Sequence, residues 1–376
     1  MKIGIDARNL VPRLTGIGRY VFEMSRRLSA AGVEPFLYLP DQPSVDLSAL
    51  EGVKTKIGQY SGAAARTIWG QTALPRWAAK DGVDVLWGPA HRLPLRVPYG
   101  MARVLTIHDL VWIKAASTMH ARTRLGERLF MRSSLSQADV VVTVSQAAAE
   151  DVRTYFPKLE APIVPIHHGA HSVALPSGVN FDEVLGRLGV ARSFALFVGT
   201  REPRKNLDGL LKAYAGLDDA TREKCMLVVA GGRGWGRDEL EREIGGAGLA
   251  DRVKLLGYVS EQDLAVLYAT CRFLAMPSLY EGFGLPVVEA NAFGAPALIS
   301  NLSSLPEIGG DAALLVDPGD VGAIADGFAR LVNDEALHDR LAGRARANAR
   351  RFDWQSSAEQ LVAVFEKALK IRRRQS

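Results

Sequence analysis

The stretch Phe273-Leu274-Ala275-Met276-Pro277-Ser278-Leu279-Tyr280-Glu281-Gly282-Phe283-Gly284-Leu285-Pro286-Val287-Val288-Glu289-Ala290 decides the fold class. The apolar run Phe273 to Met276 reads as a buried parallel strand, and Pro277 stops it. Gly282 and Gly284 loosen the loop that follows, and Pro286 suits the first turn of a helix. In doubly wound α/β sheets such turns lie at the carboxyl ends of the strands, where ligands bind and helix amides favour anions. Glu281 falls in the loop, placed to accept hydrogen bonds from hydroxyls. Glu289 falls one turn inside the helix, within reach of a second diol. Acids near helix starts are common because the macrodipole favours them, so neither glutamate decides alone. The nine-residue unit from Glu281 to Glu289 is much harder to explain that way.

Glu281-Gly282-Phe283-Gly284-Leu285-Pro286-Val287-Val288-Glu289, with seven residues between its glutamates, resembles the signature of the retaining glycosyltransferases of GT-B fold. That large family includes sucrose synthases and bacterial mannosyltransferases. The resemblance implies two Rossmann-like α/β domains facing across a cleft, with the C-terminal helix crossing back to the first domain. It further implies that Glu281 contacts the donor sugar, that the Phe283, Gly284 and Leu285 amides contact sugar and phosphate, and that Glu289 holds the nucleotide ribose.

Outside this motif, a chain of 376 residues that is 48% hydrophobic and 23% charged is long enough for two separate cores. The opening Met-Lys-Ile-Gly-Ile-Asp reads as a first strand and not as a signal peptide. No run approaches the roughly 18 apolar residues that span a bilayer. Cys225 and Cys271 are the only cysteines, so a disulfide framework is excluded and a reducing cytoplasm is expected. Residues 1–170 hold 21 Lys and Arg against 14 Asp and Glu, whereas the remainder holds 25 against 27. A basic first half favours acidic partners, and without an aromatic-rich nucleic-acid motif the inner face of a membrane is the expected one, with no nucleic acid.

In chain order, the strand Lys2 to Ala7 leads into Leu14-Thr15-Gly16-Ile17-Gly18-Arg19-Tyr20 and a helical pattern through Val21, Met24 and Leu28. This turn lacks the third glycine and the later acid of a dinucleotide fingerprint. The resemblance implies that Gly16 and Gly18 let the backbone approach donor phosphates and acceptor, although the family's usual pair of adjacent glycines is absent. Phe36 to Leu39, Val83 to Trp87 and Arg103 to Ile107 continue the α/β rhythm. His108, just past a strand end, is placed to meet ligand; in the resembling enzymes it touches the donor sugar and the acceptor side, and Asp109 is the weaker candidate. His120 to Ser136 mixes Arg122, Arg124, Arg128 and Arg132 with leucines and can form a basic amphipathic helix for membrane docking, or a surface helix packing its leucines on the sheet. A strand Asp139 to Val144 follows, with Ser145 as N-cap of the next helix. His167-His168 lacks a third ligand at metal spacing and reads as a loop, and residues 170–180 read as a linker. The expected domains are 1–172 for the acceptor, joined by a helix over about 356–376, and 190–355 for the donor.

In the second half, the strand Phe194 to Val198 ends at Gly199-Thr200-Arg201-Glu202-Pro203-Arg204-Lys205-Asn206, whose three cations make a diphosphate clamp. The resemblance places a Lys on Lys205, but the family's Arg falls on Thr200, so Arg204 or Arg201 supplies the second charge, with Arg204 preferred. Met226 to Ala230 ends in Gly231-Gly232-Arg233-Gly234-Trp235, whose glycines permit close approach to a ligand. Val253 to Leu256 leads to Tyr258 and Val259, where the resemblance seats the nucleotide base, and to Ser260 as a helix cap. No Asp-x-Asp stands at a strand end, so a metal-independent transferase needing no cofactor is expected. The motifs look most like bacterial mannosyltransferases that use GDP-mannose and a lipid-linked acceptor in surface-polysaccharide synthesis. A GT-B sugar-nucleotide epimerase or hydrolase, or a non-catalytic sugar-nucleotide-binding protein, is the alternative.

Overall fold

A computed structural model describes all residues except 12–14, 117–120, 171–174, 176–177, 233–239, 247 and 376. The chain divides into two compact units, Met1–Gly169 with Asp353–Ser376, and Ala170–Phe352. Among the described residues no helix is long and apolar enough to cross a membrane.

The first unit is built on a seven-stranded parallel sheet. Its strands are β1 (Lys2–Asp6), β2 (Glu34–Leu39), β3 (Lys54–Ile57), β4 (Val85–Gly88), β5 (Ala102–Ile107), β6 (Val140–Thr143) and β7 (Ile163–Pro165), in the order β3-β2-β1-β4-β5-β6-β7. The central strands are continuous apolar runs because helices cover both faces of a parallel sheet. β3 was not anticipated. Its Lys-Thr-Lys-Ile sequence has no apolar run, and it sits exposed at the sheet edge, where lysines discourage edge-to-edge pairing. The helix Trp354–Gln375 belongs to this unit and buries Trp354, Leu361, Val364, Phe365 and Ala368 in the same core as Ile3, Ile5 and Trp87. Its first turn is pinned where the Ser357 hydroxyl donates to the His167 carbonyl at 2.8 Å. Gly169 is required here, because a Cβ would stand 2.3 Å from the Trp354 ring.

The second unit repeats the plan with β8 (Phe194–Val198), β9 (Met226–Ala230), β10 (Val253–Gly257), β11 (Phe273–Met276), β12 (Ala297–Ser300) and β13 (Ala313–Val316), all parallel in the order β10-β9-β8-β11-β12-β13. The strand order reverses between β8 and β11, the position where doubly wound sheets open a crevice at the strands' carboxyl ends. The loops after β8 and β11 carry the cations and the glutamate singled out in the sequence. The sequence reading gave residues 181–188 no element, yet they form the helix Phe181–Leu188. The Asn180 side chain caps its start, accepting from the Asp182 and Glu183 amides, and Gly189 ends it at φ 63°. Of the span read as a linker, 171–174 and 176–177 lie outside the described residues.

Candidate active site

In the second unit the loop after β11 turns into the helix Leu285–Phe293, with Gly284 as N-cap at φ 109° and Pro286 in the first turn. A Cβ at Gly284 would lie 2.8 Å from Leu305 in a conformation that L side chains rarely adopt, so the turn demands glycine twice over. Serines hold the loop: the Ser304 hydroxyl donates to the Glu281 carbonyl at 3.0 Å or the Phe283 carbonyl at 2.7 Å, and the Ser303 hydroxyl accepts from the Glu281 amide at 3.0 Å. The Glu281 side chain is buried between two cations. Lys205 Nζ lies 2.6 Å from Oε1, as an ion pair without hydrogen-bond alignment, and Arg204 Nη1 donates to Oε2 at 2.9 Å. Burial pushes this carboxyl up, but the Lys205 ammonium and then the Arg204 guanidinium outweigh it and hold its pKa at about 2. Glu281 is therefore an anion at any physiological pH.

The cations are placed by the turn after β8. Pro203–Lys205 is a single 3-10 turn, and Asn206 sits in the left-handed region at φ 56°. The Asn206 amide donates to the Pro277 and Pro318 carbonyls at 3.0 and 2.8 Å, which ties this turn to the β11 loop. Arg204 is further oriented by Glu202, which its Nε meets at 2.9 Å. Of the two arginines that the sequence offers as a second charge beside Lys205, Arg204 is the one hydrogen-bonded to Glu281. Thr200 donates to Glu202 at 2.9 Å, whereas the buried Arg201 Nε has no hydrogen-bond partner. Glu289 is buried in the helix, where its Oε2 accepts from the Tyr268 hydroxyl at 2.8 Å.

The remaining donor-side residues follow β9, β10 and β11. Gly231 was assigned to close ligand approach, but a Cβ there would stand 2.0 Å from the Gly199 carbonyl oxygen, so the neighbouring loop already requires glycine. The Phe283 side chain faces inward against Phe352, with ring centroids 5.6 Å apart, so only its backbone is available to a ligand. Tyr258 is an exposed side chain and Val259 is half-buried at the end of β10. Of the Gly231-Gly232-Arg233-Gly234-Trp235 turn, Arg233, Gly234 and Trp235 lie outside the described residues, as does Leu14 of the first glycine-rich loop.

In the first unit, Gly16 opens the helix Gly16–Leu28 and the Thr15 hydroxyl caps it, accepting from the Gly18 amide at 3.3 Å. His108 follows β5 and is buried. Its Nε2 lies 2.7 Å from the Pro89 carbonyl. A carbonyl only accepts, so Nε2 carries the proton and Nδ1 presents a lone pair. Burial, then the neighbouring His91 and His168, lower the His108 pKa well below 6.5, so the ring is neutral. Asp109 accepts from the Val111 amide at 3.2 Å and serves the backbone of the next turn. His168 stacks on Tyr20 at 4.8 Å and lies 5.5 Å from Trp354, inside the packing of this unit.

The sequence reading missed His91. It stands in the left-handed region at φ 63°, a strained conformation for a side-chain residue, and its Nε2 accepts from the His108 amide at 2.9 Å. A His three residues beyond the β4 strand end was the available signal. His91 borders a cavity of ≈ 450 Å³ that is also lined by Arg8, Asn9, Arg66, Arg92 and Glu127. Arg92 donates to Glu127 at 2.8 Å. Burial raises the Glu127 pKa and the His91 and Arg92 contacts lower it more, to about 2. Thr15 and Ile17 of the glycine-rich turn form another wall.

Two parallel-sheet Rossmann-like units, one with a buried glutamate clamped by Lys and Arg at a helix start, define an α/β protein of the GT-B class. The overall fold resembles sucrose-phosphate synthase from Thermosynechococcus elongatus, with a TM-score of 0.77 at 21% identity over 98% of both chains. The family model described as glycosyl transferases group 1 matches residues 188–348, and that of glycosyltransferase family 4 matches residues 14–172. The O-antigen chain mannosyltransferase B of Escherichia coli is 32% identical over 97% of this chain and 100% of its own length. A phosphatidyl-myo-inositol mannosyltransferase of Mycobacterium leprae is 25% identical over 93% of this chain and 92% of its own. The chain belongs to the group 1 glycosyltransferases.

Proposed function

We propose that this protein transfers mannose from GDP-mannose, with retention of anomeric configuration and without a metal ion, to a lipid-linked saccharide in surface-polysaccharide synthesis. The observation that carries the reading is the buried Lys205–Glu281–Arg204 cluster beside the start of the helix Leu285–Phe293. The donor diphosphate lies against that helix start and takes charge from Lys205, Arg204 and the backbone amides. Glu281, an anion held in place by the same cations, accepts hydrogen bonds from the sugar hydroxyls, and Glu289 accepts from the ribose. The full-length likeness to an O-antigen mannosyltransferase supports mannose as the transferred sugar.

The acceptor occupies the first unit's cavity beside His91 and Glu127, where carboxylate, amide and guanidinium groups suit a hydroxyl-rich ligand. His108 Nδ1 accepts a hydrogen bond from sugar. As the bond from anomeric carbon to leaving oxygen breaks, positive charge grows on the sugar, and the acceptor oxygen attacks from the same face. The leaving diphosphate takes the acceptor's proton, and Lys205 and Arg204 stabilise the charge it gains. No protein nucleophile enters this reaction.

The helix Ala121–Gln137 keeps the protein at a membrane that presents the acceptor. Leu125 and Leu129 are 56% and 61% exposed beside the exposed Arg124, Arg128 and Arg132, which supports docking by this part of the helix, whereas Leu135 and Met131 near its end are buried on the sheet, as the alternative reading has it. Charge reversal at Arg124 and Arg128 is expected to abolish flotation with anionic vesicles, and unchanged flotation would remove the membrane role. The transfer itself is tested by incubating the protein with GDP-mannose and lipid-linked saccharides, with and without EDTA, and following GDP release. Acceptor-dependent, EDTA-insensitive release supports the reading. Turnover without acceptor would indicate hydrolysis or epimerisation, and binding without turnover would make it a sugar-nucleotide-binding protein.

A further inference from the structure

We infer that a groove at the amino ends of β5, β6 and β7 binds the phosphate headgroup of an anionic phospholipid, at a site separate from the sugar chemistry. The groove has a volume of ≈ 1050 Å³ and is lined by Arg103, Arg132, Lys158 and Arg372 against Asp139 and Glu160, an excess of basic groups. His108 follows the carboxyl end of β5, whereas Arg103 stands near its start, so about five residues of strand, roughly 17 Å, separate them.

Arg103 and Arg372 share one carboxylate. Arg372 donates to Asp139 through Nη2 at 2.5 Å and Nε at 3.2 Å, and the Arg103 backbone amide donates to the same carboxylate at 2.7 Å. The Arg103 guanidinium is left with a long contact, Nη1 to the Gln137 carbonyl at 3.4 Å, and its Nε is buried without a partner. Burial and the like charge of Arg372 lower the Arg103 pKa, as a site wanting an anion would. A phosphate monoanion brings acceptors to this guanidinium and offsets part of the excess charge.

The source of that phosphate is argued from the surroundings. Tyr155, 41% exposed, and Ile371 give the groove an apolar wall beside its cations, where a glycerol and the first acyl carbons can lie. The last turns of the helix Ala121–Gln137 line the groove, while the exposed Arg124, Arg128, Leu125 and Leu129 continue the same basic and apolar character. The inference rests on the membrane role given above for that helix and extends it to a defined ligand.

The test titrates the full protein with dihexanoyl phosphatidylglycerol below its micelle concentration, so that no bilayer is present. Dihexanoyl phosphatidylcholine and glycerol 3-phosphate serve as controls, and binding is read by calorimetry. Saturable binding of phosphatidylglycerol is expected, retained in R124E/R128E and weakened about fivefold or more by Lys158→Glu and by Arg103→Gln. Lys158 is exposed, so its variant reports on the groove even if the Arg103 variant folds poorly. Undiminished binding by Lys158→Glu overturns the inference, and so does glycerol 3-phosphate binding as tightly as the lipid, which would mark a site for free phosphate esters. Vesicle binding lost in R124E/R128E with no short-chain lipid bound leaves the helix as the membrane contact and removes the groove. Short-chain binding retained with vesicle flotation unaffected by R124E/R128E does the reverse.

Discussion

Glu281 and its two cations set the chemistry of the second unit, and they do so by compensating one another. A lone buried carboxylate would be driven toward its neutral form, but Lys205 at 2.6 Å and Arg204 at 2.9 Å keep it ionised. With the folded pKa lowered to about 2 from 4.5, the ion cluster contributes stability that is complete above pH 4.5 and is lost as pH falls toward 2. Glu281→Gln is expected to flatten that limb of the stability-pH curve, measured by urea unfolding between pH 5 and 2. Lys205→Ala is expected to lower kcat by about 10²–10³-fold with a smaller change in KM, because its charge meets more negative charge in the transition state than in the bound donor. An unaltered kcat in steady-state assays would remove Lys205 from the leaving-group site. Both glutamates were legible in the sequence because their spacing is local. The pairing of Glu281 with Arg204 was not, since the two residues belong to loops after different strands.

At the scale of elements, the turns after neighbouring strands hold one another. Gly231 sits at φ 143°, and its Cα faces the Gly199 carbonyl so closely that a Cβ would fall 2.0 Å from it. Gly231→Ala is therefore expected to destabilise the second unit by about 2–4 kcal/mol, seen as a lower midpoint in chemical denaturation, while the first unit is unaffected. A substitution neutral in both would show that the two loops separate freely. The strand β3 and the helix Phe181–Leu188 escaped the sequence reading for opposite reasons. An edge strand buries little and needs no apolar run, and an eight-residue helix has too few turns for its period to stand out. Its caps, Asn180 and Gly189, were the readable signal.

At the scale of the whole molecule, each unit has its own core, and the chain returns to the first one through its last helix. Removing residues after Phe352 strips Leu361, Val364 and Phe365 from that core, on the order of 5–9 kcal/mol of burial, comparable to the whole stability of a domain. Calorimetry of the truncated chain is expected to lose the transition of the first unit and keep that of the second. The first unit also carries a pH limit. Burial, then His167, holds His168 at about 3, and burial, His91 and His168 hold His108 well below 6.5. Both rings bind a proton more readily when unfolded, so stability is complete above about pH 6.5 and declines as pH falls below it. Replacing His168 by Phe should blunt this decline, read as the pH dependence of the first thermal transition.

The sequence alone determined the class of protein: apolar strand runs, glycine turns and the Glu281–Glu289 spacing are short-range features that declare a parallel α/β sheet and the family to which it belongs. Tertiary structure alone decided which cation meets Glu281, that Gly231 yields to Gly199, and that His91, which lines a cavity, braces His108. Those outcomes depend on contacts between loops that only the strand order brings together, and strand order is set by burial summed over the whole sheet, which no single stretch encodes.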